Sequence, residues 1–306
     1  MPAENGYVPT PEPAAEYAVG DLFEVERPGS PSSPRLLLPG LGTGNLYDAV
    51  VRYCTPGEGH RDHRKADYPV PDCVGVENDP NNVGAFEMTH PDHDVDVQQA
   101  DFLLNPPQGP FDWVLANPPY TRYSRLNTEK RTAYGEKFET AEGKFPVFAP
   151  FVEQALELLK PDGWATFILP VQALTVSVCE PLQDLLAGRR LGRIALLPEP
   201  TFDRQVQTIV VTLKNTANEP REEPFWIERP YFWDCAMERY LEGVGVDDVE
   251  EADQRYEREF AARKAELRGS TGRAMLEWMK EPTHSDAGDQ VADSSTSMET
   301  TLDQFV

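Results

Sequence analysis

The chain has 306 residues, 40% of them hydrophobic, enough to bury one good core with an appendage. Its formal net charge is −24, from 52 acidic residues against 8 lysines and 20 arginines, which speaks to solubility and association rather than to fold. With no run of ~18 apolar residues, no charged-then-apolar leader and only 4 scattered cysteines, membrane spans and a disulfide framework are excluded, and the expectation is a cytoplasmic protein.

Thr10-Pro11 predicts a helix start, with Thr10 as N-cap and Pro11 at the first helical position; residues 14–25 then carry an apolar face. Residues 27–34, dense in Pro, Gly and Ser, read as a linker. Arg35–Pro39 (RLLLP) predicts a buried strand that runs into Gly40-Leu41-Gly42-Thr43-Gly44-Asn45 and a helix over 46–53. Strand, glycine turn and helix open a dinucleotide- or nucleoside-binding α/β unit. The glycines admit a ligand close to the backbone, and the helix N-terminus favours an anionic group. Residues 55–72 form a polar insertion with His60 and His63, flanked by Cys54 and Cys73. A Cys-His-His-Cys zinc site is one reading of it, but the spacing matches no compact knuckle; a solvated loop is the favoured reading and no metal is expected.

A second strand over 73–76 ends on Glu77-Asn78-Asp79, where a carboxylate can accept two ribose hydroxyls. A helix over 80–89 and a strand over 95–98 follow, the latter ending at Asp101-Phe102, an acid able to accept from an adenine amino group beside a ring able to flank a purine. Phe111–Ala116 is a buried strand that ends on Asn117-Pro118-Pro119-Tyr120. The prolines stop the ladder and remove two donors. The Asn117 side chain and the Pro118 carbonyl are left as acceptors, followed by an aromatic ring. That set suits a planar amino group that must be held, polarised and stacked.

In order, GLGTGN, GVEND, ADF and ANPPY resemble motifs I to IV of the S-adenosylmethionine-dependent amino-methyltransferases, and Thr10-Pro11 resembles the motif X that precedes motif I in γ-type DNA adenine-N6 methyltransferases. Residues 144–170, an amphipathic helix, a turn and a buried strand, resemble motifs V and VI; residues 199–211, with Phe202 leading into a strand, resemble motif VIII. The resemblance implies a Rossmann-like α/β fold of the class I methyltransferases, a mostly parallel seven-stranded sheet with helices on both faces. It implies S-adenosylmethionine near Thr10, Pro39, Gly40, Gly42, Gly44, Glu77, Asn78, Asp101, Phe102 and Asn117. Catalysis would fall to Asn117, Pro118, Pro119, Tyr120 and Phe202, acting on a flipped-out adenine in DNA. Two departures stand out: Leu38 occupies the position where the family usually has an acid, and the 55–72 insertion lengthens the spacing from motif I to motif II.

DNA binding by so acidic a chain needs a local exception. Arg122, Arg125, Lys130 and Arg131, directly after the tetrapeptide, are candidates for phosphate contact, with Arg189, Arg190 and Arg193 as a second cluster; pairing with neighbouring acids is the competing reading. The spread of acid along the chain and the scarcity of lysine fit a cytoplasm of very high salt. The expected organisation is 1–34 as the motif X helix and linker, 35–215 as the catalytic domain, 216–281 as a small, mainly helical region, and 282–306 as a polar tail. Within 216–281, residues 225–233 are expected as strand or loop and 236–243, 249–268 and 274–280 as helices. Leu302 and Phe305 in the tail resemble a sliding-clamp-binding box, and a restriction or specificity subunit is a further expected partner. RNA adenine-N6 and release-factor glutamine methyltransferases share the Asn-Pro-Pro-Tyr logic and stand as alternatives.

Overall fold

The computed structural model describes residues 8–25, 34–55, 69–197, 207–216, 225–228 and 261–263. One sheet organises them, in the order β3-β2-β1-β4-β5-β7-β6-β8-β9. Its strands are β1 (Arg35–Pro39), β2 (Asp72–Glu77), β3 (Asp96–Gln99), β4 (Phe111–Ala116), β5 (Leu159–Pro170), β6 (Arg190–Leu196), β7 (Thr208–Lys214), β8 (Phe225–Glu228) and β9 (Ala261–Arg263). Strands β3, β2, β1, β4 and β5 run parallel, while β7 lies antiparallel between β5 and β6.

The central strands are near-continuous apolar runs because both sheet faces are covered. Along β1, Leu36 and Leu38 point to one core and Leu37 to the other; along β4, Trp113 and Leu115 oppose Val114 and Ala116. The first face is covered by α1 (Glu12–Val25), α2 (Asn45–Cys54) and α3 (Pro80–Thr89), through residues such as Val19, Leu22, Val50 and Phe86. The second carries α4 (Thr128–Lys137), α5 (Phe148–Glu157), the short α6 (Gln172–Thr175) and α7 (Glu180–Ala187), with Tyr134, Phe151, Val152 and Leu182 buried. This is a three-layer α/β sandwich with all parallel strand tips at one edge.

A buried polar cluster fixes α1 against the sheet. Asp21, 0% exposed at its side chain, pairs with Arg193 of β6 at 2.6 Å. It also accepts from the Thr212 hydroxyl, which in turn accepts from Thr166 at 2.8 Å. Arg193 is therefore an internal strut and not part of a phosphate-binding surface.

Further expectations change as well. Two short strands, β8 and β9, extend the seven-stranded sheet to nine, and Ala261–Arg263 forms β9 where a helix over 249–268 was expected. Within 144–170, read as a helix, a turn and a strand, the helix is Phe148–Glu157 and β5 already starts at Leu159; a register shift with Asp162 at φ 64° pairs Leu159 and Trp164 with Phe111 and Trp113. Helix α1 begins at Glu12, and Thr10 does not cap it: its hydroxyl is turned toward Asn117. Phe202, His60, His63, Leu302, Phe305 and the helices expected over 236–243 and 274–280 lie outside the described residues. Among the described residues no helix is long and apolar enough to cross a membrane, and no group of three or more His, Cys, Asp or Glu side chains could hold a metal.

Candidate active site at the strand tips

The tips of β1, β2 and β4 open onto a cavity of about 340 Å³, and the residues after β3 form a further wall. Of the residues expected to act, Gly40, Glu77, Asn78, Asp101, Phe102 and Asn117 to Tyr120 line it; Thr10, Pro39, Gly42 and Gly44 are not among its lining residues.

At the end of β4 the backbone leaves the ladder at Asn117. The Asn117 amide donates through Nδ2 to Thr10 Oγ1 at 3.0 Å and to the Val8 carbonyl at 3.3 Å. A carbonyl can only accept, so this contact orients the amide with Oδ1 on its other side. Neither Oδ1 nor the Pro118 carbonyl accepts a hydrogen bond from any described residue. Tyr120 is pinned by donation from its hydroxyl to the Ile168 carbonyl at 3.2 Å and by edge contact with Phe148, ring centroids 6.3 Å apart. Burial pushes its hydroxyl pKa well up, so it stays a donor while the ring borders the cavity.

The glycine turn is built against β2. Gly40 and Leu41 donate to the Val76 carbonyl at 2.8 and 3.0 Å, and Gly42 donates to Glu77 Oε2 at 2.8 Å. Glu77 Oε1 accepts from Asp79 N at 2.8 Å, so this carboxylate ties the β2 tip to the turn with one bond per oxygen and keeps acceptor capacity on each. Gly44, at φ 100°, has the Phe86 ring where a Cβ would stand, 2.7 Å from it, so no other residue fits there. Leu38, in place of an acid, is buried in the α1-side core and offers no acceptor.

At the end of β3, Asp101 is already engaged by its own chain. Its Oδ2 accepts from Lys130 Nζ at 2.6 Å and Tyr134 Oη at 2.8 Å, and its Oδ1 accepts from Leu103 N at 3.1 Å. Desolvation, reinforced by the Asp101 charge, holds the Tyr134 pKa far above its ordinary value. Phe102 lies beside it against Phe151, centroids 4.7 Å apart. Lys130, expected on a DNA-facing surface, is thus an internal partner of Asp101. Arg131 is spent on the Tyr123 and Ser124 carbonyls at 3.1 and 2.9 Å and lies over the Tyr123 ring. Arg122 is exposed. Arg125 borders the cavity, exposed, and its guanidinium has no partner among the described residues.

Asn45 is a site residue not among those expected from the sequence. This first residue of α2 accepts from Thr43 Oγ1 at 3.0 Å and donates through Nδ2 to the Thr10 carbonyl at 2.7 Å, joining the glycine turn to the segment before α1. Its place at the end of GLGTGN was a visible signal; its partner, far away in sequence, was not.

A sheet ordered 3-2-1-4-5-7-6, with β7 reversed and a cavity at the parallel tips, is the fold of the class I S-adenosylmethionine-dependent methyltransferases. A putative enzyme of that class from Listeria monocytogenes superposes with a TM-score of 0.60 at 19% identity, over 78% of this chain and 71% of that one. A modification subunit of a putative type I restriction enzyme from Vibrio vulnificus superposes with a TM-score of 0.53 at 15% identity, over 84% of this chain and 55% of the other. In sequence, residues 77–197 match the family described as Eco57I restriction-modification methylase. The Type II methyltransferase M.TthHB8I of Thermus thermophilus is 28% identical over 216 residues, 68% of this chain and 45% of that protein. The chain spans less than half the length of the curated relatives it matches.

Proposed function

We propose that the chain is an S-adenosylmethionine-dependent DNA methyltransferase that methylates the N6 amine of an adenine turned out of the duplex. The observation that carries this reading is the oriented Asn117 amide, whose oxygen and the neighbouring Pro118 carbonyl are left without donors beside a glycine turn. The similarity of residues 77–197 to restriction-modification methylases supports DNA as the substrate.

The cavity suits the cofactor. Gly40, at φ 70°, keeps the backbone bare between Phe151 and the Asn117 carbonyl, Glu77 retains acceptor capacity for ribose hydroxyls, and Phe102 offers a ring beside Asp101. When bound, S-adenosylmethionine supplies a methyl group on a positively charged sulfur. The chain's own residues do the rest by placement. Asn117 Oδ1 and the Pro118 carbonyl each accept one hydrogen of the adenine amine. This draws the nitrogen lone pair out of conjugation with the ring and aims it along the cavity. Neither oxygen is basic enough to keep the proton that the amine sheds, which passes to water. Stacking on Tyr120, worth about 1–3 kcal/mol, offsets part of the few kcal/mol needed to unstack the base. Phe202 is assigned to the second stacking face from its sequence position alone. Arg125, at the rim, is the described cation best placed for a backbone phosphate.

The test is transfer of labelled methyl from the cofactor to duplex DNA, RNA or a release-factor domain in separate reactions in molar KCl, a medium chosen for the acidic, lysine-poor composition. Label on DNA, recovered as N6-methyladenine after digestion, is expected. Label confined to RNA or protein would overturn the substrate, and no label on any of them would overturn the reading.

A further inference from the structure

Thr10 falls in the segment that resembles motif X, yet it does not line the cavity and is 5% exposed. Both of its polar outlets are used inside the protein. Its carbonyl accepts from Asn45 Nδ2 at 2.7 Å, and its hydroxyl accepts from Asn117 Nδ2 at 3.0 Å. Asn45 belongs to the helix that follows the glycine turn, and Asn117 is the acceptor at the β4 tip. One residue thus bridges the two halves of the site, the glycine turn and the acceptor pair, which are not bonded to each other through their side chains.

Building on the function proposed above, we propose that Thr10 is a positioning residue for Asn117, fixing the amide so that its oxygen faces the cavity. An amide on a single side-chain torsion can present either end at modest cost. Here Thr10 Oγ1 and the Val8 carbonyl take both Nδ2 hydrogens. A flipped amide would set its oxygen against the Val8 carbonyl, two acceptors face to face. The Thr10 bond is the shorter of the two, and the segment that carries it leads directly into α1, which the buried Asp21–Arg193 pair ties to β6. Removing the hydroxyl leaves the amide on the longer Val8 contact alone, and the oxygen spends less time where the amine must meet it.

The arrangement separates binding from turnover. A residue that touches the cofactor would change cofactor affinity when altered; a residue that acts through Asn117 changes the rate of transfer. Thr10→Val keeps shape and loses the hydroxyl, Thr10→Ala also removes the bulk, and Thr10→Ser keeps the hydroxyl. The full chain of each is to be assayed for kcat of DNA methylation, for cofactor Kd by calorimetry, and for the Asn117 side-chain amide in a 1H–15N spectrum, that signal being identified by its loss in Asn117→Ala.

The expected result for Thr10→Val is a fall in kcat of about tenfold, a cofactor Kd within twofold of the parent, and faster exchange of the Asn117 amide protons with water. Thr10→Ser is expected to restore both kcat and the slow exchange. If Thr10→Val does not fold, Thr10→Ala carries the same expectation. A Kd that rises while kcat holds would overturn the proposal, making Thr10 a cofactor ligand. Equal losses in Thr10→Val and Thr10→Ser, or an Asn117 signal unmoved in Thr10→Val, would overturn it as well. The spectrum reads the Thr10–Asn117 bond without any substrate. Inactivity of the parent chain toward DNA would therefore count against the proposed function, while the exchange data decide on Thr10.

Discussion

The tips of β3 and β4 face the same cavity and are finished in opposite ways. At β4, Asn117 Oδ1 and the Pro118 carbonyl accept nothing from the described residues, whereas at β3 Asp101 accepts from Lys130, Tyr134 and the Leu103 amide. The difference follows from charge. A carboxylate whose side chain is 15% exposed needs neutralising by the protein itself, because leaving it unpaired costs several kcal/mol. An uncharged amide oxygen at the wall of an open cavity stays solvated until a ligand replaces the water. On the proposed function the β4 tip is where the amine is received, and the β3 tip is a supporting joint that retains acceptor capacity.

Breaking the open tip should have the largest consequence. Asn117→Ala removes one acceptor and the oriented amide together; methyl transfer is expected to fall roughly 10²- to 10³-fold, the range found for single preorganised hydrogen-bonding groups that act on developing charge. Cofactor affinity should change by no more than a few-fold, and the fold should survive, since the amide's partners are on one short segment. Steady-state methylation with calorimetry on the same variant measures both. Retained transfer would dissolve the contrast between the two tips. Next in size is Tyr120→Ala, which removes the stacking face and should weaken productive DNA engagement by about 1–3 kcal/mol. It is read as a fall in kcat/KM for duplex substrate that a mismatch opposite the target adenine partly relieves. Tyr120→Phe keeps the ring, loses the hydroxyl's bonds to the Ile168 carbonyl and Thr208, and should lose far less.

How much of this was readable beforehand depends on range. Arg35–Pro39 and Phe111–Ala116 coincide with the strands expected from their apolar runs, because period and proline punctuation are local signals. The same holds for Pro80–Thr89, whose Asp79 cap bonds Asn81 N at 2.9 Å. Glu77 and Asp101 were legible as acids at strand tips. Their occupancy by Gly42, Asp79, Lys130 and Tyr134 was not, since those bonds join elements that only the finished sheet brings together. Lys130 shows the limit most clearly. Beside Arg122, Arg125 and Arg131 it reads as one of a basic run, yet α4 turns it inward to Asp101 while Arg125 remains at the rim. Thr10 was legible as a helix-start residue, and its hydroxyl was lost to a partner 107 positions away.

Breaking the closed tip should cost stability before it costs chemistry. In Lys130→Ala, Asp101 keeps Tyr134 and Leu103 but loses its cation. With the lysine side chain 33% exposed, the expected destabilisation is modest, about 1–2 kcal/mol. It would be measured as a lower urea midpoint at unchanged slope. A double-mutant cycle with Asp101→Asn should show the two changes to be less than additive. If Lys130→Ala left the midpoint in place while Asn117→Ala lowered it, the assignment of support to β3 and recognition to β4 would be reversed.

The smallest effect lies in alkaline solution and separates Tyr134 from the background. Burial pushes the Cys73 and Cys179 thiols up to about 12, so in the folded chain they stay protonated after the unfolded chain has begun to ionise them. The folded state then binds more protons than the unfolded one, and stability is fully present below the unfolded pKa near 9 and declines as pH rises above it. Tyr134 adds a second loss that starts about one pH unit higher, because desolvation and the adjacent Asp101 charge keep its hydroxyl protonated past its ordinary pKa of 10.0. The expected contribution is about 0.8 kcal/mol at pH 10.5, half a unit above the unfolded value. Tyr134→Phe should therefore be destabilised at pH 7 by loss of its bond to Asp101 and should lose less stability than the parent between pH 9.5 and 10.5. Urea midpoints at those two pH values suffice. Parallel curves for parent and variant would mean that Tyr134 ionises in the fold as it does outside it, and that the β3 tip is wetter than its three donors to Asp101 imply.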